Sequence, residues 1–318
     1  MIDFILILKL IAGFGLLVVG GDFLVRGALA FGVKRDISPL IVGVTVVAMG
    51  TSAPEMVVSV LSAMTGHAQI AVGNVIGSNI ANVLLVLGVP VLIHPITTQQ
   101  EGLRDQVYWM LMVTLGFTLV CLITDLNFWV GIAMLASLAI FLQQSVKGSI
   151  PLPASNEATE ELDELPKENH SYLRIAGLIG FGVLALPFGA DLVVDAGSTL
   201  AVSLGVSESV IGLSVFALGT SLPELASTTV AAVYRNSDVA LGNVLGSNLF
   251  NILAVLGVTL MLTDIPVDEA FLRMDIWMMM GCATLLWLYC IVGASIGRVS
   301  GIFFLVGYVA YISSLFTG

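Results

Sequence analysis

A six-residue string, Gly50-Thr51-Ser52-Ala53-Pro54-Glu55, returns as Gly219-Thr220-Ser221-Leu222-Pro223-Glu224. Each copy places a carboxylate and two hydroxyls beside a helix-breaking proline, inside a segment apolar enough to cross a bilayer. A charge at that depth is costly and marks a functional site by default. The offset of 169 residues holds without a gap from 43–90 to 212–259, with 22 identities in 48 aligned positions. The chain therefore contains an internal duplication, and any fold proposed for it must accommodate two copies of one unit.

Composition limits what the unit is. With 58% hydrophobic and 10% charged residues and a mean hydropathy of +1.04, the chain has too few polar side chains to cover a soluble surface. Apolar runs near the length of about 20 residues needed to cross a bilayer lie at 4–25, 38–64, 70–93, 106–124, 127–146, 172–198, 207–234, 239–263, 274–293 and 299–316. The expectation is an all-α membrane protein with ten transmembrane helices in two five-helix repeats, 1–147 and 172–318, joined by an acidic linker at 148–171. Only the turn Thr124-Asp125-Leu126-Asn127 separates the fourth and fifth runs. The N-terminus lacks a basic region before its apolar run and reads as the first span rather than a cleaved signal.

Following alternate connections, nine basic residues fall on one side (Arg26, Lys34, Arg35, Arg104, Lys147, Lys167, Arg174, Arg235 and Arg298) and Arg273 on the other. By the positive-inside rule the populated side is cytoplasmic, so both termini are expected outside the cytoplasm of a plasma (inner) membrane. Five spans per repeat is an odd number, so the second copy crosses in the opposite sense to the first, the inverted plan of secondary transporters. The net charge of −11 owes much to Glu157, Glu160, Glu161, Asp163, Glu164 and Glu168, which read as a solvated linker and argue against nucleic acid as a partner. Cys121, Cys282 and Cys290, with His67, His94 and His170, show no metal-ligand spacing.

Pro54 has no N–H to offer the Gly50 carbonyl, and Pro223 none for Gly219, so both helices are predicted to break there. Freed carbonyls are tolerable in a membrane only inside protein or facing a watery cavity, and Thr51, Ser52 and Glu55 supply further oxygens around them. The following span adds Asn74, Ser78 and Asn82, a stripe with a spacing of four, repeated as Asn243, Ser247 and Asn251. Together these form a cage of hard oxygen donors. A plainer reading is interhelical hydrogen bonding, with Gly73, Gly77, Gly242 and Gly246 letting backbones approach; it applies most readily to Asn74 and Asn243. A weaker echo aligns Asp22 with Asp191, either as interfacial carboxylates or as guides for cations.

The paired GTS-x-PE strings, each followed by GNV-x-GSN-x-x-N, resemble the two alpha-repeats of the calcium/cation antiporter superfamily, and among its branches the prokaryotic sodium/calcium exchangers. The resemblance covers essentially all ten spans. It implies a secondary antiporter that moves sodium against calcium by alternating access, with the first and sixth helices sliding across the core. The ligands it implies are side chains of Thr51, Ser52, Glu55, Ser78, Asn82, Thr220, Ser221, Glu224, Ser247 and Asn251, plus main-chain carbonyls at Ala48 and Ala217. Some members carry Asp where this chain has Asn251, and an acidic residue there goes with potassium co-transport, so its absence argues against potassium dependence.

Physics independent of the family also bounds the ion. Two carboxylates balance one divalent or two monovalent cations, and an all-oxygen donor set favours hard ions over zinc or copper. A calcium/proton antiporter on the same scaffold is the nearest alternative. A channel is disfavoured because pores usually assemble from rings of subunits, and an enzyme because no nucleophile–base pair or metal triad is present. No cofactor is expected beyond the transported calcium and sodium ions, and the expected surroundings are membrane lipid with no obligatory protein partner.

Overall fold

The computed structural model describes residues 4–147, 171–203 and 219–315. Over these residues the chain is helical, with α1 at Phe4–Arg35, α2 at Pro39–Thr51, α3 at Ala53–Met64, α4 at Ala68–Ile93, α5 at Leu103–Ile123 and α6 at Phe128–Lys147. After the linker come α7 at Tyr172–Ser203, α8 at Leu222–Val233, α9 at Ser237–Leu260, α10 at Phe271–Val292 and α11 at Arg298–Leu315. Among the described residues eight helices are long and apolar enough to cross a membrane, or nine if the bent pair α2 and α3 is one span. The remaining expected span, 207–234, lies partly outside the described residues, as does nearly all of the linker.

Local chemistry sets the boundaries. Ser38 caps α2 by accepting from the Ile41 amide at 3.4 Å, with Pro39 opening the helix where its missing N–H costs nothing. Between α2 and α3 the axis bends by 44° at Ser52, whose φ of −80° and ψ of 7° leave the helical region one residue before Ala53-Pro54. Asn127 separates α5 from α6, its Oδ1 accepting from the amides of Trp129 at 3.0 Å and Val130 at 3.3 Å.

The first span is longer than expected. The apolar run ends near residue 25, but α1 continues to Arg35 because Arg26 is satisfied where it stands. Its Nε donates to Asp22 at 2.8 Å and its Nη2 to the Tyr234 hydroxyl at 2.6 Å, while Tyr234 donates in turn to Asp22. The sixth expected span likewise runs on, to Ser203 rather than 198, with Pro187 inside it.

The helices sort into a centre and a flank. Every residue in the most apolar window of α9 is buried, against 22% in α1, α6 and α11. α9 lies against α2 at glycine distance, for a Cβ on Gly242 would sit 2.5 Å from the Leu40 carbonyl oxygen and one on Gly246 would sit 2.3 Å from that of Val44. On the flank, α1 and α7 pack as an antiparallel pair. Gly13 opposes Gly189, Gly20 opposes Leu186 and Gly27 opposes Leu178, these three glycines of α1 standing seven residues apart. Small residues permit such backbone approach in membranes, where no hydrophobic force drives helices together. Two isolated antiparallel bridges, Ile96 with Ile296 and Leu126 with Ile265, fasten the connections of one repeat to those of the other.

Candidate cation site

The two breaks and the two polar stripes meet at the centre. Thr51, Glu55, Ser247, Glu224 and Asn251 are fully buried, and Ser52, Ser78, Asn82, Thr220 and Ser221 nearly so. Contacts across the repeats draw them together. Ser52 Oγ donates to Glu224 Oε1 at 3.2 Å, the Thr51 and Ser247 hydroxyls lie 3.4 Å apart, and those of Ser78 and Thr220 lie 3.5 Å apart. The Ser52 contact brings the first repeat's break, three residues before Glu55, to the carboxylate of the second repeat, Glu224. Ala48 is buried beside them, whereas Ala217 lies outside the described residues.

The Ala48 carbonyl already accepts from the Ser52 amide at 2.9 Å and from Thr51 Oγ1 at 3.3 Å. The proline explains this, because the partner lost to Pro54 belongs to Gly50, two residues further on.

Asn74 and Asn243 act as braces. Asn74 Nδ2 donates to the Glu55 carbonyl at 3.3 Å and Ser59 Oγ at 3.1 Å; Asn243 Nδ2 donates to the Glu224 carbonyl at 3.4 Å and Thr228 Oγ1 at 2.8 Å. Their oxygens accept from the threonine of the opposite repeat, Thr220 to Asn74 at 3.5 Å and Thr51 to Asn243 at 3.3 Å. Each asparagine thus ties the helix bearing its own glutamate to the other repeat's hydroxyl.

Six buried oxygens of this cluster have no hydrogen-bond partner among the described residues: both of Glu55, Oε2 of Glu224, Oδ1 of Asn82 and Asn251, and Oγ of Ser221. Leaving buried polar atoms unmade costs roughly 1–3 kcal/mol each, more when charged. No described ion pair includes either glutamate; those present join Lys9 to Asp195, Arg26 to Asp22 and Arg273 to Glu269. An unpaired buried carboxylate pair surrounded by neutral oxygens is chemically a receptor for hard cations, and calcium, which takes 6–8 oxygens in flexible geometry, suits it.

The stripe spacing missed Asn79 and Asn248. They sit one residue beyond Ser78 and Ser247, off the spacing of four, yet Asn79 Oδ1 accepts from Asn251 and Asn248 Oδ1 from Asn82, both at 3.1 Å. The signal that exposes them is the 169-residue offset itself, which pairs Asn79 with Asn248.

A profile of the family described as sodium/calcium exchanger protein matches residues 5–146 and 174–317. The chain belongs to that family, a group of multi-pass membrane exchangers. It is 36% identical over 311 residues to the putative antiporter CaxA of Alkalimonas amylolytica, covering 96% of this chain and 97% of that protein. It is 33% identical over 314 residues to the inner membrane protein YrbG of Escherichia coli, covering 96% and 95% respectively. Among solved structures, the sodium-calcium exchanger NCX_Mj soaked with sodium and calcium superposes with a TM-score of 0.83 at 31% identity, over 98% of this chain and 99% of that one.

Proposed function

We propose that this protein exchanges sodium for calcium across the inner membrane by alternating access, binding both ions at the central cluster. The observation that carries this reading is the set of buried oxygens without a partner among the described residues, drawn from both repeats and including two carboxylates with no basic partner there. Their two formal charges are balanced by one calcium or by two of the sodium ions that replace it. The liganding set is Thr51, Ser52, Glu55, Ser78, Asn82, Thr220, Ser221, Glu224, Ser247 and Asn251, with the carbonyls of Ala48 and Ala217. Obligatory coupling follows from charge, because an empty cage cannot present two bare carboxylates to an apolar barrier as it reorients.

The scaffold is ten spans in two inverted units, 1–147 and 172–318, with the acidic linker at 148–171 in the cytoplasm and both termini outside it. The antiparallel pairing of α1 with α7 supports the inversion, as each is the first helix of its repeat. These two slide across the core to open one face and then the other. The protein works as a transporter rather than an enzyme, in lipid, with no cofactor and no obligatory protein partner.

Calcium uptake into inside-out vesicles separates the couplings. A sodium gradient is expected to drive it and a pH gradient of equal size is not; the reverse outcome makes the protein a calcium/proton antiporter. Cysteines placed at 35–37 and 265–268 are expected to label from opposite faces, and labelling from one face overturns the inverted ten-span plan.

A further inference from the structure

A carboxamide has two ends of nearly the same shape and opposite chemistry. Turned one way, Asn82 or Asn251 offers a cation an oxygen; turned the other way, it offers an amino group that repels it. Shape does not choose between them, so the surrounding hydrogen bonds must.

On one side the choice is dictated by the backbone. Asn79 Nδ2 donates to the Asn248 main-chain carbonyl at 3.2 Å, an atom that only accepts. Asn79 must therefore turn its Oδ1 to Asn251, Asn251 must answer with Nδ2 at 3.1 Å, and the Oδ1 of Asn251 is left without a partner among the described residues. On the other side Asn248 Nδ2 reaches Met110 Sδ at 3.6 Å, its Oδ1 accepts from Asn82 Nδ2 at 3.1 Å, and the Oδ1 of Asn82 is left free in the same way. Even the sulfurs correspond, for Asn79 Nδ2 also lies 3.9 Å from Met279 Sδ, and Met279 follows Met110 by the repeat offset. Turning either site amide around would set oxygen against oxygen at its partner, leaving two buried acceptors unmade.

We propose that Asn79 and Asn248 are positioning residues that fix the site amides oxygen-inward, and that they do so crosswise: Asn248 of the second repeat orients Asn82 of the first, and Asn79 of the first orients Asn251 of the second. This assignment rests on the cation-exchange reading of the cluster. It makes neither half-site competent alone, because each receives its orientation from the other repeat.

Equilibrium binding of radiolabelled calcium to purified protein, with thermal unfolding as a check on folding, tests the crosswise pairing. Loss of a partner that orients a metal ligand typically weakens binding by 10–100-fold, so Asn248→Leu is expected to weaken calcium binding roughly tenfold. That loss should vanish when Asn82→Ala is already present and persist when Asn251→Ala is present instead; Asn79→Leu should show the opposite dependence. A loss of equal size in both backgrounds, the behaviour of a residue that only packs, overturns the proposal. If the leucine variants fail to fold, the volume-conserving Met110→Leu carries the same test. It should weaken calcium binding only where Asn82 is intact, and an effect independent of Asn82, or none, overturns the proposal. Sodium-driven flux of the wild type is measured alongside: protein that binds calcium but moves none defeats the exchange reading, while the cycle still judges the amides.

Discussion

The helices that carry the cation cluster and the pair formed by α1 and α7 are alike in sequence, both apolar and rich in glycine, yet they are held by different forces. In the centre, polar side chains cross from one repeat to the other and glycines let backbones touch, as Gly246 does against Val44. Displacing any one helix there breaks several buried hydrogen bonds at once. On the flank, α1 and α7 meet through a glycine ridge with a period of seven, and the polar ties described between them are few and near the ends: Lys9 with half-exposed Asp195 at 2.6 Å, and Lys34 and Arg35 over the Tyr172 ring. The sliding proposed for α1 and α7 suits this difference, because few polar ties hold that surface and many hold the cluster.

The largest expected effect lies in the centre. Glu55→Gln and Glu224→Gln each remove half of the cluster's charge while keeping its shape, and sodium-driven calcium flux should be abolished. Thermal unfolding in a chelator should rise or hold, since an unpaired buried charge is gone; retained flux in either variant would remove the site from the centre altogether.

A pair of glycine substitutions then sets the two regions side by side. A Cβ on Gly246 would lie 2.6 Å from Ala48 Cβ, pushing the segment that ends in Thr51, whereas one on Gly182 would lie 2.7 Å from Leu24 Cβ on the flank. Both alanine variants should lose stability by about 1–3 kcal/mol from overpacking. Only Gly246→Ala should also lose calcium affinity, and Gly182→Ala should bind normally but turn over more slowly. Equal affinity losses would dissolve the distinction.

Asn251→Asp adds a third formal charge to the centre and sets a carboxylate against Asn79 Oδ1. Calcium flux in proteoliposomes is expected to be independent of potassium in the wild type and, in this variant, to vary with pH or with an added monovalent cation; an unchanged profile at normal activity places Asn251 outside the site. The smallest effect belongs to Tyr234→Phe. Losing one hydroxyl that ties α1 to the end of α8 should change the exchange rate by about fivefold or less while leaving calcium affinity as it was. An altered affinity would mean that the flank shapes the site directly.

The centre was more legible in the sequence than the flank. Pro54 located the bend, because losing a backbone donor is a local event, and the spacing of four located Asn74, Ser78 and Asn82, because a helix repeats its faces. Asn79 and Asn248 escaped that logic, since their partners lie on another helix and their place off the stripe has meaning only once both repeats are assembled. The end of α1 was misjudged for a related reason. Arg26 looks like the close of an apolar run until Asp22 and, from 208 residues away, Tyr234 satisfy it. Local periodicity reports which face a residue occupies, but not who meets it there.

The two antiparallel bridges have a consequence for assembly. Ile96 closes on Ile296 and Leu126 on Ile265, so the connections of each half are finished by the other half rather than by their own helices. Neither half is a complete object. Two fragments divided within 148–171 carry between them every bridge and every amide pairing described above, and are expected to reconstitute transport when made together and to fail when made apart. The single chain thus carries two related units, each of which needs the other to finish its own connections.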